Sequence, residues 1–214
     1  MSTHLAQRLA GGSVLLALWA ALLPPPAFAD LSSPPATASN QRETDAATDE
    51  RVVRRLIEQF QSAELTLNQA IRIAEKLHTG SRTVQISFEI SDPPAYRVKT
   101  VKNDDVWENV IDSRTGNIAG DEMTSSLMAM DEADRDNIIA LRSTRQCLAD
   151  AVVVGERAAS GKALGGGLMN KDGKLNFVVV VASGGDLKQV TLEPPRAGRR
   201  SGIRRSHTSP PQGD

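Results

Sequence analysis

The chain has 214 residues, a formal net charge of -1, 40% apolar, 24% charged and 3% aromatic residues. Near-neutral charge leaves no global nucleic-acid footprint, and the aliphatic content supports a modest globular core, neither disordered nor membrane-embedded. A single cysteine, Cys147, excludes an internal disulfide framework and any multi-cysteine metal site.

Residues 1–29 read as a removable secretion signal. Arg8 precedes an apolar run from Val14 to Leu23, three prolines, and Ala27-Phe28-Ala29. The small residues at 27 and 29 predict cleavage between Ala29 and Asp30. The run is short for a bilayer span. The alternative, an uncleaved anchoring helix, is opposed by the prolines and the A-x-A site. No cysteine follows the run to carry a bacterial lipid anchor, and no paired arginines precede it. The expectation is a periplasmic or secreted protein of about 185 residues with no transmembrane anchor after signal removal. Residues 30–48, rich in Ser, Pro, Ala and Thr, read as a flexible spacer.

Asp49 is placed to cap a helix with Val52, Val53, Leu56, Ile57 and Phe60 on one face. Thr66-x-x-Gln69 has the capping-box pattern and opens a second helix with a stripe of Leu67, Ala70, Ile71, Ala74 and Leu77, ending at Gly80. The period then changes. Val84, Ile86, Phe88 and Ile90 alternate with Gln85, Ser87, Glu89 and Ser91, as in a strand with one dry face. Strands from Tyr96 to Val101 and from Val106 to Asp112 follow across short turns, which force antiparallel neighbours. Residues 49–120 thus form a helix plus three-stranded meander, and 121–142 read as a helical linker, with Met123 to Leu141 helical and a break near Asp131.

The pattern then repeats. An offset of 81 sets Gly161 on Gly80, Leu148 on Leu67, Ala151 on Ala70, Val152 on Ile71, Phe177 on Tyr96 and Val179 on Val98. In the same register Gly165-Gly166-Gly167 falls on Val84-Gln85-Ile86, predicting a weak or irregular first strand in the second copy. Arg97 and Lys99, on the wet face of the first copy, become Val178 and Val180. Strand 175–182 is therefore apolar on both faces and needs cover on both, from the other copy, the linker or a partner. The fold class is α+β: two helix–meander units, 49–120 and 143–195, joined by the linker. Residues 196–214 carry Arg196, Arg199, Arg200, Arg204 and Arg205 and read as a disordered basic tail. It is either a solubilising tail or a weak contact for an anionic surface.

Little chemistry survives inspection. Gly155 to Ala163 superficially resembles a phosphate loop, but the spacing is wrong, Ala163 lacks a hydroxyl, and the order is helix into strand. His4 and His207 lie in the signal and the tail, so only His78 is expected in the folded region, at a helix C-terminus whose dipole suits it. Asp131, Glu132, Asp134 and Asp136 lack a calcium-loop pattern and suit a helix N-terminus. Cys147 is expected on a buried stripe with Ala151 and Val154. No catalytic, cofactor-binding or metal-binding residues are assigned, and no nucleic-acid partner is expected. Tyr96 and Trp107 are read as core anchors.

The capped helix with Ala70-Ile71 and Ala74-Glu75, the strand led by Tyr96-Arg97-Val98, and Trp107-x-x-x-Ile111-Asp112-Ser113-Arg114-Thr115-Gly116 resemble the PepSY domain family over about residues 65–120. The second copy resembles it only through the repeat, and has Glu193-Pro194-Pro195-Arg196 where Asp-x-x-Thr-Gly would lie. The resemblance implies a secreted, non-enzymatic binding module with a protein partner, such as a peptidase it restrains or an envelope protein. Arg97 and Lys99 are the candidate partner surface. The alternative is a structural envelope protein using its basic tail against an anionic surface.

Overall fold

The structure, a computed structural model, describes residues 50–194. The signal, its cleavage site at Ala29 and Asp30, the spacer and the basic tail lie outside the described residues. The described chain is α+β, with four helices and one seven-stranded antiparallel sheet. Helix α1 is described over 50–61. Next come α2 (Leu67–Leu77), β1 (Arg82–Glu89), β2 (Ala95–Lys102), β3 (Asp105–Asp112), β4 (Met123–Ser126) and a 3-10 turn at Leu127–Ala129. Helices α3 (Glu132–Arg142) and α4 (Leu148–Ala159) precede β5 (Lys162–Lys171), β6 (Lys174–Ser183) and β7 (Asp186–Leu192). The strand order is β4-β3-β2-β1-β5-β6-β7.

The capping box of α2 forms as its sequence requires: Thr66 Oγ1 accepts from the Gln69 amide at 3.3 Å and Gln69 Oε1 accepts from the Thr66 amide at 2.7 Å. Its stripe is buried at Leu67, Ala70, Ile71 and Ala74, whereas Leu77 at the helix end is exposed. Ile86, Phe88 and Val98 meet that stripe with at most 1% exposure, which closes the core over this meander. Phe60 of α1 packs edge-on against Phe88, so α1 shares this face.

Helix α4 lies on the same face. Gly155 lets it approach closely, since a Cβ there would sit 3.0 Å from Val179 Cβ. The other face of β6 carries Val178 and Val180, exposed by only 2% and 4%. Helix α3 packs on β5 and β6 and supplies that cover. A strand apolar on both sides is thus enclosed on both sides. Arg82 holds the α3 end in place: Nη1 donates to Leu141 O at 2.7 Å and Thr144 O at 3.2 Å, and Nη2 to Gln146 O at 2.7 Å. A cation there satisfies carbonyls that a helix C-terminus leaves open.

Strands β1 and β5 join the two meanders, with Ile86 opposite Gly166, Gln85 opposite Gly167 and Ser87 opposite Gly165. The glycines lie where backbones crowd; a Cβ on Gly165 would be 3.3 Å from Ile86 O. Local devices recur in both halves. Cys147 and Asp150 occupy the N-cap and N3 positions of α4 as Thr66 and Gln69 do in α2. Glu75 Oε1 accepts from the Thr83 amide at 2.9 Å, and Glu156 Oε1 accepts from the Ala163 amide at 3.0 Å. Each strand has a register shift one residue later, between Thr83 and Gln85 and between Ala163 and Gly165.

Several expectations are corrected. Met123 to Leu141 is not helical throughout: Met123–Ser126 pairs with Asp105–Glu108, because the outer edge of β3 offers unpaired backbone groups. The helix begins only after Asp131, whose Oδ1 accepts from the Asp134 amide at 2.8 Å. Gly161 does not end α4; Ser160 takes the left-handed conformation at φ 54°. The run from Glu156 to the Ala163 amide is one residue shorter than that from Glu75 to the Thr83 amide, so Gly165-Gly166-Gly167 lies where Gln85-Ile86-Ser87 does. Strand β5 is not weak, being paired on both sides inside the sheet, and the irregularity expected of it is a register shift between Ala163 and Gly165. Cys147 is an N-cap rather than a member of the buried stripe, and Val154 is 45% exposed. Burial pushes the Cys147 thiol up, and Sγ lies 3.1 Å from Asp150 Oδ2.

Candidate functional site

The two residues expected to face a partner, Arg97 and Lys99, lie on β2 opposite the α2 face. Antiparallel pairing brings Ser87 beside Arg97 and Glu108 beside Lys99. Diagonal neighbours then complete a charge ladder. Arg97 Nε and Nη2 donate to the two Glu89 oxygens at 2.6 and 3.0 Å, and Nη1 donates to Glu108 Oε1 at 2.7 Å. Lys99 Nζ is 3.9 Å from Glu108 Oε2. The forked guanidinium suits this two-carboxylate grip. Hydrogen bonding to Glu89, against the opposing cost of burial and with Glu108 adding to it, raises the Arg97 pKa. The side chains of Arg97 and Lys99 are only 30% and 25% exposed. Alternation alone makes both free, exposed cations; cross-strand geometry makes them half-buried and paired. Arg97→Ala is expected to lower stability by about 1–3 kcal/mol, because it strands Glu89 and Glu108 together. Urea unfolding measures this, and adding Glu89→Gln to the Arg97→Ala variant should recover part of the loss.

The Asp112 to Gly116 loop closes on itself. Asp112 Oδ1 accepts from the Arg114 amide at 2.9 Å and from the Thr115 amide at 2.8 Å. Gly116 has φ +76°, and a Cβ there would press on Ile73 Cδ1 at 3.1 Å. The Ser113 carbonyl accepts from the amides of Glu64 and Leu65, tying the loop under the α1–α2 connection. The motif therefore serves as a clasp, with its carboxylate committed to its own turn. The Thr115 and Arg114 amides hold the Asp112 carboxyl below the usual carboxylate range. Its contribution to stability is full above the unfolded value near 3.8 and is lost as pH falls through the lower folded value. Acid titration of unfolding should therefore be less steep for Asp112→Asn than for the unchanged chain.

A second polar cluster was not legible in the sequence. His78, the C-cap of α2, stacks on Trp107 with ring centroids 3.9 Å apart and an interplanar angle of 9°. Its Nε2 is 2.8 Å from Glu122 Oε2, which also accepts from Asn109 Nδ2 at 2.7 Å. The Glu122 carboxyl is desolvated, yet His78 and Asn109 draw its pKa below the usual value. These residues are 44 apart at the extremes, and no spacing rule joins them. Trp107 is half-buried against His78, while Tyr96 is the core anchor expected, with its hydroxyl donating to Leu65 O at 2.7 Å. Burial, and then Glu156, push the Tyr96 phenol up.

A cavity of about 440 Å³ lies between α1, the start of α2 and the β6–β7 turn, lined by Ile57, Phe60, Leu65, Glu156, Ala163 and Ala182 among others. Glu156 Oε1 is already engaged by the Ala163 amide. Among the described residues no cluster of three or more His, Cys, Asp or Glu could hold a metal ion. No described helix is long and apolar enough to cross a membrane.

No curated protein matches the chain. A similar solved structure is a candidate lipoprotein from Clostridium difficile 630. It is 13% identical, with a TM-score of 0.38, and the match covers 64% of this chain and 90% of that one. Residues 64–122 match the family model described as "Peptidase propeptide and YPEB domain". That span runs from the α1–α2 connection through the clasp to Glu122, and contains the ladder and the His78–Trp107 stack. Domains of this kind are in general non-catalytic modules of inhibitor or propeptide type, typically outside the cytoplasm. The helix α2, the meander β1–β3 and their closing clasp are thus the part of the chain that matches the PepSY family model.

Proposed function

We propose that the chain is an exported, non-enzymatic binding module that restrains or regulates a protein partner, with a peptidase as the first candidate. The observation that carries this reading is the PepSY match over 64–122. The internal commitment of the chemistry-bearing groups within that span adds to it. Arg97, Glu108, Asp112, His78 and Glu122 each have partners inside the domain, which favours a preformed surface over a reacting centre. The partner surface is the β1–β3 face around Arg97 and Lys99, where an ion-paired ladder would discriminate among partners by charge. Restraint would be steric, with a sheet surface or edge occupying the partner's groove.

The chain is further read as two copies of this unit, 49–120 and 143–195, joined through 121–142. The recurring N-caps, the Glu75 and Glu156 hydrogen bonds, and the β1–β5 pairing centred on Ile86 and Gly166 support it. In this scheme 1–29 is the export signal, 30–48 a spacer and 196–214 a basic tail with weak affinity for anionic surfaces.

The experiment uses the exported chain with metal ions supplied. It tests peptide, ester, phosphoester and glycoside substrates, together with inhibition of secreted proteases. Inhibition without turnover, weakened by Arg97→Glu and Lys99→Glu, is the expected result. Turnover that vanishes on changing one acidic residue would overturn the reading.

A further inference from the structure

The two edges of the sheet are managed differently. The β3 edge is closed by β4, with Asp105 opposite Ser126, Val106 opposite Ser125, Trp107 opposite Thr124 and Glu108 opposite Met123. Strand β4 is only four residues long. Among the described residues the other edge strand, β7, pairs with β6 alone. It runs seven residues, Asp-Leu-Lys-Gln-Val-Thr-Leu, without a proline or a register shift. A strand of that length with open backbone groups is a template for another strand.

The first half of the molecule indicates what such an edge accepts. Strand β3 pairs Asn109 with Val98, and β7 pairs Val190 with Val179, positions 81 apart in each strand. On β3 and in the turn residue before it the even-numbered positions turn their backbone outward: Asp104 O accepts from the Leu127 amide, Val110 O accepts from the Ala119 amide, and the Asp112 amide donates to Asn117 O. The corresponding outward groups on β7 belong to Leu187, Gln189 and Thr191. Between those contacts Met123-Thr124-Ser125-Ser126 pairs with Asp105–Glu108; it is extended and antiparallel, and after Met123 its side chains are hydroxyls. On β7, Lys188 Nζ lies 3.1 Å from Ser183 Oγ and has no carboxylate partner among the described residues.

We propose that the outer edge of β7 docks one extended, antiparallel strand of a protein partner, with hydroxyl or other short side chains and a carboxylate facing Lys188. The inference rests on the two-copy binding-module reading and names the second copy's edge as a contact. Main-chain pairing gives affinity in this mode, and the side chains alternating along the strand give selectivity.

The probe is a synthetic peptide of the protein's own Asp121–Leu127, Asp-Glu-Met-Thr-Ser-Ser-Leu, with Glu or Lys at the Thr position as variants. Amide hydrogen exchange is followed on the full exported chain at about 1 mM peptide, a level that reveals weak association. The amides of Leu187, Gln189 and Thr191 should exchange freely alone and slow about tenfold or more with peptide. The Glu variant should protect most and the Lys variant least. Gln189→Pro removes an outward amide without touching the β6 ladder, so it should abolish protection while leaving the melting temperature close to that of the unchanged chain. If Gln189→Pro does unfold the chain, the Glu and Lys peptides on the unchanged protein still decide. No protection by any peptide overturns the proposal. So does protection already present without peptide, which sedimentation would assign to a second copy or to the chain's own tail. Loss of protease inhibition with peptide docking intact would count against the peptidase reading alone.

Discussion

Phe88→Ala is expected to lower unfolding free energy by about 3–5 kcal/mol, the range for deleting a fully enclosed aromatic. Phe88 has 0% exposure. It meets Phe60 and Tyr96 edge to face at centroid distances of 5.3 and 5.5 Å, with interplanar angles of 75° and 70°. The substitution therefore removes contacts to α1 and to β2 within the shared core at once. Urea denaturation measures it. A midpoint unchanged from the parent would mean that the β1 faces are reversed, and a shift restored by Phe88→Leu would assign the loss to volume.

The second large effect is expected at Val178. It is 2% exposed, on the β6 face that α3 covers. Val178→Asp places a carboxylate in that apolar interface and should cost about 3–5 kcal/mol near neutral pH. Burial raises such a carboxyl, so proton uptake relieves the penalty and the deficit should shrink as pH falls toward its raised value. Val178→Thr, nearly the same shape, should cost much less. Thermal melts of both at two pH values separate burial from strand propensity. A small, pH-independent effect of Val178→Asp would show that α3 is not a packed layer.

Both expectations depend on alternation. A period of two tells which side chains share a face, and it was readable in Val84-Gln85-Ile86-Ser87-Phe88 and in the valines of β6. Capping chemistry was readable for the same reason: Thr66 and Gln69, or Asp131 and the Asp134 amide, interact within one turn. The Asp112 to Gly116 clasp is local as well, and the PepSY resemblance rests on such short-range features. Linear sequence specifies these because the interacting groups are three or four residues apart and the entropy of bringing them together is small.

Other features are decided by where distant segments end up. Met123–Ser126 has no strong strand pattern; the open β3 edge makes it a strand. Glycines 165–167 look like a break, yet they form the middle of the sheet because β1 and Leu148 need the space a Cβ would fill. Cys147 falls on the apolar stripe only if α4 begins earlier than it does. Arg97 and Lys99 read as free cations in one dimension, and strand pairing sets Glu89 and Glu108 beside them. His78, Trp107 and Glu122 converge from a helix end, a strand and a loop. The sequence by itself determined most of the helices and strands, the faces of the first meander and the PepSY resemblance. Tertiary structure alone decided which edges pair, which charges are satisfied and which edge lacks a partner strand among the described residues, because those depend on contacts whose partners no local rule can name.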